Sequence, residues 1–333
     1  MMPEHSSADN KARAAAFALL AVGLASTQDA TVKAMSGTYP VYETMIIRAF
    51  VALPILGVWL THSLGLRALT TPLWPRILLR ALILCSAYLA FILSMAAMPM
   101  ANTIAIYFTM PFFVAGFAGP FFGERVPLYR WIAITAGFAG VIVMVRPGVQ
   151  VFEPASLLAL YSAFGYAVGQ MMGRQLAQQV PPLVIANWQN AIYFICSVLV
   201  GFVVQATGFA GEGHKSLAFL TRPWVSPTLQ DFLVLSFLGV LAAFTIVSFV
   251  SAYKYAESSF VAPFEYSAMA WAILFGLLFF NDFPDLLTWT GMAIVVGAGL
   301  FMLVMDRLRF QTGQSAHLHT KFSTDSQYLE PPS

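Results

Sequence analysis

The sequence predicts an all-α integral membrane protein with ten transmembrane helices. Of its 333 residues, 59% are hydrophobic and only 10% are charged, whereas soluble domains average about 25% charged residues. So few charges cannot cover the surface of a soluble protein of this length. The apolar residues also fall into runs of about the 20 residues that a helix needs to cross a bilayer. These ten runs lie at about 13–34, 42–61, 76–97, 100–121, 128–146, 155–175, 183–205, 230–253, 258–280 and 285–305.

Helices, rather than the strands of a β-barrel, account for these runs. Backbone polar groups inside hydrocarbon must bond internally, so only helices and closed barrels span membranes. The runs are about twice the length of a barrel strand and show no period of two. Residues typical of turns occupy the short breaks at 37–40, 123–127, 147–154, 181–182 and 281–284.

Three polar segments lie outside the runs: residues 1–12, a long loop at about 206–229, and residues 306–333. The last segment is predicted to be a disordered tail, because it has too little apolar surface to order itself. Lys and Arg concentrate on the cytoplasmic side of membrane proteins. When the N-terminus is placed in the cytoplasm, most of the 17 basic residues fall on that side. Both termini are therefore predicted to be cytoplasmic and the long loop external.

No motif indicates an enzyme, a metal site or a cofactor. The five histidines lie in loops, in the termini or at the end of a run, and no H-E-x-x-H, G-x-S-x-G or P-loop pattern occurs. A net charge of +2 gives no reason to expect a nucleic-acid partner. The expected surroundings are the lipid bilayer, and the oligomeric state is not indicated.

An internal repeat is suggested when the chain is shifted by 158 residues. Residues 121–124 (FFGE) then fall on residues 279–282 (FFND), and Trp131 falls on Trp289. Identity is low, so chance similarity is the alternative. Five spans per half is an odd number, so the second half would enter the membrane from the opposite side. Inverted repeats of this kind place a substrate site near the midplane, between the halves.

Several short stretches carry a resemblance to a known family. In the first half they are 97–105 (AMPMANTIA), 111–113 (PFF), 123–125 (GER) and 146–148 (RPG); in the second half they are 255–259 (YAESS), 262–263 (AP) and 280–284 (FNDFP). With these stretches the chain resembles the EamA-type, ten-span members of the drug/metabolite transporter superfamily. Asn281-Asp282 departs from the Gly-Glu that the family shows more often.

The resemblance covers about residues 13–305 and implies two inverted five-helix repeats, at 13–148 and 155–305. It implies a secondary carrier for small organic solutes in the bacterial inner membrane. Within the superfamily the chain looks most like a group that includes flavin importers, and it also resembles S-adenosylmethionine carriers. Riboflavin is therefore the favoured substrate, another metabolite carrier or exporter is the alternative within the family, and a channel or a non-transporting membrane protein is the alternative outside it.

Ionisable side chains inside the runs are the first functional candidates, because charges are expensive in hydrocarbon. Glu265 lies about 10 Å into the ninth run and is a candidate for proton coupling or substrate binding. Asp29 and Lys33 are spaced i, i+4, which makes them a candidate ion pair on one helix face. Arg48 could meet Asp29 across helices, and it is a candidate for binding a carboxylate or phosphate. For each residue the alternative is a contact that holds helices together.

Amide and aromatic side chains form a second group of candidates. Trp188 and Asn190 open the seventh run, and Gln170 lies on the sixth; these groups either line a polar cavity or bond neighbouring helices. Tyr107 and Tyr266 offer faces on which a planar ring such as a flavin would stack. Because 14% of the chain is aromatic, ordinary packing is the alternative for both tyrosines.

Three glycines repeat every four residues along the sixth run, at Gly165, Gly169 and Gly173. Small residues at this spacing let another helix approach closely inside a membrane. The pattern predicts a tight helix contact along this face.

Overall fold

The computed structural model describes residues 4–122, 126–146, 153–176, 179–208, 213–255 and 264–327. Within these ranges the chain is helical and contains no strand. The predicted all-α class is therefore confirmed. The stretches 123–125 and 147–148 and most of 255–263, which carry part of the family resemblance, lie outside the described residues.

Helices follow one another along the described chain, and a short 3-10 turn at Leu66–Leu69 joins the second to the third. They are α1 (Glu4–Met35), α2 (Val41–Ser63), α3 (Trp74–Ala97), α4 (Met100–Tyr107), α5 (Met110–Phe122), α6 (Leu128–Val145), α7 (Ala155–Leu176), α8 (Pro182–Thr207), α9 (Lys215–Thr221), α10 (Leu229–Tyr255), α11 (Ser267–Phe280) and α12 (Leu286–Gln327).

Eight stretches of the described chain are long and apolar enough to cross a membrane. Two of the predicted spans are not among them. The run at 155–175 forms α7, which is 22 residues long but carries Gln170, Arg174 and several small residues that lower its hydropathy. The run at 258–280 is represented by the 14-residue apolar helix α11, because residues 256–263 are not described. The protein is thus a multi-pass membrane protein, and the count of ten spans stays a prediction.

Helix ends follow local sequence signals. Proline precedes the first residue of α2, α4, α6 and α8, where its missing N–H and fixed φ suit the start of a helix. Three helices end in the left-handed conformation, at Arg146, Gly208 and Asn281. Gly and Asn tolerate this conformation best. The φ of 54° at Asn281 explains why asparagine can stand where the related family more often has glycine.

Both ends of the chain are more helical than expected. A polar segment is predicted at 1–12 and a disordered tail at 306–333, yet α1 begins at Glu4 and α12 continues to Gln327. The physical reason lies in the missing stop signals, since no proline occurs between Asp306 and Pro331. A polar segment can prolong a helix that a membrane span has already nucleated, because adding residues is easier than starting a helix.

Each of the main helix pairs combines one helix from the first half of the chain with one from the second half. Extensive contacts join α3 to α7, α1 to α10, α2 to α8, and α6 to α12. Counting the spans from the start of each half pairs α1 with α7, α2 with α8 and α3 with α10, so exchanging the halves turns the α1–α10 contact into the α7–α3 contact. In the same way it turns the α2–α10 contact into the α8–α3 contact, and both are present.

The glycines of α7 make the close contact that their spacing predicts. A Cβ atom on Gly165 would lie 2.7 Å from the Cβ of Ala87 on α3, and one on Gly169 would overlap Leu84. One on Gly173 would lie 3.0 Å from Nε of Arg80. The prediction of a tight helix contact is confirmed, and its partner is α3.

The predicted long loop contains helix α9, which packs on α3. Phe219 is only 1% exposed, and Ser216 Oγ donates a hydrogen bond of 2.6 Å to the carbonyl of Leu93. Further along the loop, the backbone N–H of Val225 donates to Oε2 of the fully buried Glu43 at 3.1 Å. The loop is therefore tied to the starts and ends of the spans beneath it.

Candidate functional site

Arg48 places a cation inside the helix bundle. Its Nη1 donates a hydrogen bond to the hydroxyl of Tyr88 on α3, and its Cζ lies 4.8 Å from the centre of the Tyr88 ring. This hydrogen bond uses one of the five N–H groups of the guanidinium. The cation is thus held in place from α3 and keeps donors for further acceptors.

The sequence suggests that Asp29 on α1 could meet Arg48 across helices. It is close enough to attract Arg48 electrostatically, yet within the described chain no ion pair of 4.0 Å or less joins the two. Both residues are only partly buried. The two opposite charges therefore attract each other without forming a direct ion pair, and both stay partly accessible.

Two buried tyrosines support Arg48. Tyr88 and Tyr193 stack with their ring centres 5.7 Å apart and an interplanar angle of 16°, and each is only 7% exposed. The Tyr193 hydroxyl donates to the carbonyl of Leu84 at 3.0 Å. These rings are packed against protein groups, so they act as a frame for the guanidinium.

Two further tyrosines remain partly exposed beside this frame. Tyr107 and Tyr166 meet edge to face, with ring centres 5.3 Å apart and an interplanar angle of 88°. Both interact electrostatically with Asp29, and Tyr166 also interacts with Arg48. Partly exposed aromatic rings in the same region as a partly buried cation and anion are suited to hold a planar, polar ligand.

Tyr107 owes its position to a break in the predicted fourth span. The run at 100–121 forms two helices, because Pro111 has no N–H to donate to the carbonyl of Tyr107 four residues earlier. Thr109 in the break is fully buried, and its Oγ1 donates to the carbonyl of Ile106 at 2.8 Å. Discontinuous helices of this kind line the substrate sites of many secondary transporters.

Glu265 and Tyr266 lie on the other side of this break. Phe108 stacks on Tyr266 with ring centres 4.8 Å apart and an interplanar angle of 19°. Glu265 is partly buried and interacts electrostatically with Tyr107 and Tyr266. These two candidates therefore border the region of Tyr107, while the ring of Tyr266 is partly covered by Phe108.

Lys33 finds a different partner from the one its spacing suggests. Its Nζ lies 3.4 Å from the carboxylate of Asp282 and donates to the carbonyls of Met95 and Met98 at the end of α3. The same Nζ lies 5.1 Å from the centre of the Phe280 ring. We call this region, formed by Lys33, Asp282 and the end of α3, the Lys33 end of the bundle; the sequence predicts that it is external.

The remaining candidates, Trp188, Asn190 and Gln170, lie in different surroundings. Trp188 Nε1 donates to the carbonyl of Leu69 at 3.2 Å, which ties α8 to the connection before α3. Asn190 is 8% exposed and donates to the carbonyl of Ala186 at 3.0 Å. Gln170 is exposed. The bond of Trp188 therefore joins two segments, whereas the bond of Asn190 stays within α8.

Sequence reasoning misses Arg80, whereas its partner Gln189 belongs to the group of amides that opens the seventh run. The basic-residue pattern assigns Arg80 to a cytoplasmic segment, but it lies within α3, where its Nε donates to the carbonyl of Gly169 and its Nη1 to Oε1 of Gln189, both at 2.9 Å. Gln189 Nε2 then donates to the Tyr193 hydroxyl at 3.3 Å. The sequence signal that could have revealed Arg80 is its position inside the apolar run at 76–97, because a charge there is expensive unless it is bonded.

An ion pair at the start of α12 yields a prediction about stability. Asp285 accepts a hydrogen bond from Arg146, which lowers the pKa of the carboxyl from 3.8 to about 2. Its Oδ1 also accepts from the backbone N–H of Thr288 at 2.9 Å, as a helix cap does. Asp285→Ala should therefore destabilise the protein by about 1 kcal/mol, whereas Asp285→Asn keeps the cap and should cost less.

The charge contribution of Asp285 should depend on pH in a defined direction. Because folding lowers this pKa, the stabilisation is complete above pH 3.8 and is lost as the pH falls towards 2. Thermal unfolding of the purified wild-type, Ala and Asn proteins at pH 7 and pH 3 measures it. A gap between wild type and Asp285→Asn that widened at pH 3 would contradict this account.

Comparison with known proteins gives matches along most of the chain. The model of the EamA-like transporter family matches residues 12–146 and 154–305. A riboflavin transporter of Rhizobium johnstonii is 30% identical over 241 residues, which is 72% of this chain and 74% of that protein. An S-adenosylmethionine uptake transporter of Rickettsia prowazekii is 22% identical over 289 residues, 87% of this chain and 92% of that protein.

Two further matches widen the comparison. The pseudopaline exporter CntI of Pseudomonas aeruginosa is 24% identical over 284 residues, covering 85% of this chain and 93% of that protein. A solved crystal structure superposes with a TM-score of 0.60 at 19% identity, covering 88% of this chain and 97% of its own. At that identity the superposition shows a shared fold.

Proposed function

The chain belongs to the EamA-like transporter family, and from this premise we propose that it carries riboflavin into the cell across the bacterial inner membrane. The transporter class itself rests on the family and on the eight stretches that are long and apolar enough to cross a membrane. The choice of riboflavin rests on one observation in particular. Partly exposed Tyr107 and Tyr166 meet edge to face and both interact electrostatically with Asp29, and Tyr166 also interacts with Arg48; this combination suits a planar ring with polar edges.

The transport cycle is proposed to be alternating access between two inverted repeats. Two separate segments match the family model, and the helix contacts of one half have counterparts in the other; both observations support a repeat. Glu265, next to the break at Tyr107, is proposed to couple transport to protons or to bind the substrate. One charge moved through 100 mV supplies about 2.3 kcal/mol, which is enough to drive accumulation.

Complementation of a riboflavin-auxotrophic bacterium tests this function. Expression of the chain should restore growth at low external riboflavin and should support uptake of labelled riboflavin. Tyr107→Leu should lower uptake about fivefold to tenfold, because stacking contributes about 1 kcal/mol beyond the burial of the ring. Tyr161→Leu, at an exposed position of α7, is the matched control. Failure of the wild-type chain to restore growth or uptake would refute the assignment.

S-adenosylmethionine is the second candidate, and the charges at the site favour it. Its amino-acid part carries opposite charges that could face Asp29 and Arg48 separately, and a relative with 92% of its length matched is named for it. Competition decides between the two. Excess unlabelled S-adenosylmethionine should leave riboflavin uptake unchanged if riboflavin is the substrate, and should abolish it if both compounds share the site with S-adenosylmethionine preferred.

A further inference from the structure

We propose that Arg48 and Asp29 together recognise the imide edge of the flavin ring, with Arg48 donating to a carbonyl oxygen and Asp29 accepting from the ring N–H. This inference rests on the proposed function and names the part of the substrate to which the two charged side chains bind. It also predicts which flavins the site rejects.

The chemistry of that edge matches the two side chains. In the imide of an isoalloxazine, an N–H lies between two carbonyl groups, so the edge presents acceptor, donor and acceptor in a row. A guanidinium offers only donors, and an ionised carboxylate offers only acceptors. One residue of each kind is needed to satisfy neighbouring positions of the edge, and Arg48 and Asp29 supply one of each.

The depth of the two residues in the bundle fits a shared ligand. Asp29 lies about 9 Å before the end of α1, and Arg48 lies about 10 Å after the start of α2. These two helix ends are joined by a short connection, so both side chains lie at a similar level. The hydrogen bond from Arg48 to Tyr88 fixes the cation at this level.

The separation of the charges matters as much as their signs. Asp29 and Arg48 attract each other but make no ion pair of 4.0 Å or less within the described chain. If they were in contact, each would satisfy the other and a ligand would have to break the pair. Because they are not paired with each other, the imide edge of a flavin placed between them can form hydrogen bonds with both.

The accessible tyrosines place the ring where its edge meets these charges. Tyr107 and Tyr166 meet edge to face and each interact electrostatically with Asp29, so we assign the stacked ring to these two side chains, with its imide edge towards the carboxylate. Tyr88 and Tyr193, in contrast, are buried and hold the cation. Stacking and edge recognition are therefore assigned to different side chains.

The test compares riboflavin with its N3-methyl derivative, in which a methyl group replaces the hydrogen of the imide. Binding to the purified full-length protein is measured for each by quenching of flavin fluorescence. Wild type should bind riboflavin at least about tenfold more tightly, because a hydrogen bond to a charged group is lost and a methyl group faces the carboxylate. In Asp29→Ala the preference should collapse to about one, since the space is freed and the acceptor is gone.

A second acid inside a span provides the matched control. Glu43 lies in a span, is fully buried and bonds to Val225, so Glu43→Gln should leave the ratio of the two affinities unchanged. Equal binding of both flavins by wild type, or an undiminished preference in Asp29→Ala, would overturn the inference while leaving riboflavin as the substrate. Binding of neither flavin by wild type would overturn the inference together with the proposed function.

Discussion

Replacing Arg48 with alanine is expected to reduce riboflavin uptake at least about a hundredfold. Hydrogen bonds to a charged group contribute about 1.5–3 kcal/mol each, and a loss of about 3 kcal/mol corresponds to roughly a hundredfold in affinity. The substitution also leaves Asp29 without the cation that attracts it. Arg48→Lys should fall in between, because it keeps the charge but cannot bond Tyr88 and a ligand through one planar group.

Initial rates of labelled uptake, normalised to the amount of carrier in the membrane, measure this effect. Arg76→Ala is the control, since Arg76 lies on the neighbouring helix α3 and is exposed. Tyr88→Phe should cost less than Arg48→Ala, because the ring that stacks on Tyr193 remains. Uptake by Arg48→Ala within a few fold of wild type would remove Arg48 from the substrate site.

Replacing Lys33 with methionine is expected to destabilise the folded carrier by about 3 kcal/mol. The ammonium group binds the carbonyls of Met95 and Met98 and the carboxylate of Asp282, and its side chain is only 11% exposed. Methionine keeps the length of the side chain but leaves all three acceptors without this donor. Asp282→Asn should cost much less, because Lys33 retains both carbonyls.

The larger loss for Lys33→Met than for Asp282→Asn distinguishes a helix clamp, in which Lys33 holds the end of α3 and Asp282 together, from a simple surface ion pair. Thermal unfolding of the two variants in detergent measures it, with Lys215→Met as the control at an exposed lysine of α9. A surface pair would lose about the same small amount, up to about 1 kcal/mol, whichever partner is removed. Equal losses for Lys33→Met and Asp282→Asn would therefore contradict the clamp.

Lys33 also illustrates what sequence spacing can and cannot reveal. The i, i+4 spacing identifies residues on the same helix face, and on that basis Asp29 is the expected partner. The true partner, Asp282, lies in the other half of the chain. A contact of this kind depends on how α1, α3 and α11 assemble, and local periodicity carries no information about that assembly.

The aromatic residues show a similar limit. Composition predicts many buried rings, and the sequence marks Tyr107 as one candidate among them. Only the structure shows that Tyr88 and Tyr193 are buried around Arg48, while Tyr107 and Tyr166 stay partly exposed. Exposure depends on the neighbours from distant helices, so sequence alone cannot separate the two kinds of tyrosine.

The break between α4 and α5, in contrast, has a readable signal. Pro111 lies inside an apolar run, and proline removes a helical hydrogen bond to the residue four positions earlier. Hydropathy is insensitive to this loss, so it predicts a single span at 100–121. The missing N–H of Pro111 predicts a break at Tyr107 from the sequence alone, without knowledge of the tertiary structure.

The division of labour between the tyrosines has a consequence for how such a carrier can change. Tyr88 and Tyr193 are part of the packed frame, so substitutions there should disturb folding as well as transport. Tyr107 and Tyr166 are more accessible, so we expect them to tolerate replacement by rings of other shapes. Evolution or protein engineering could then change the transported solute through substitutions at these two accessible positions. The residues that hold Arg48 in place would stay the same.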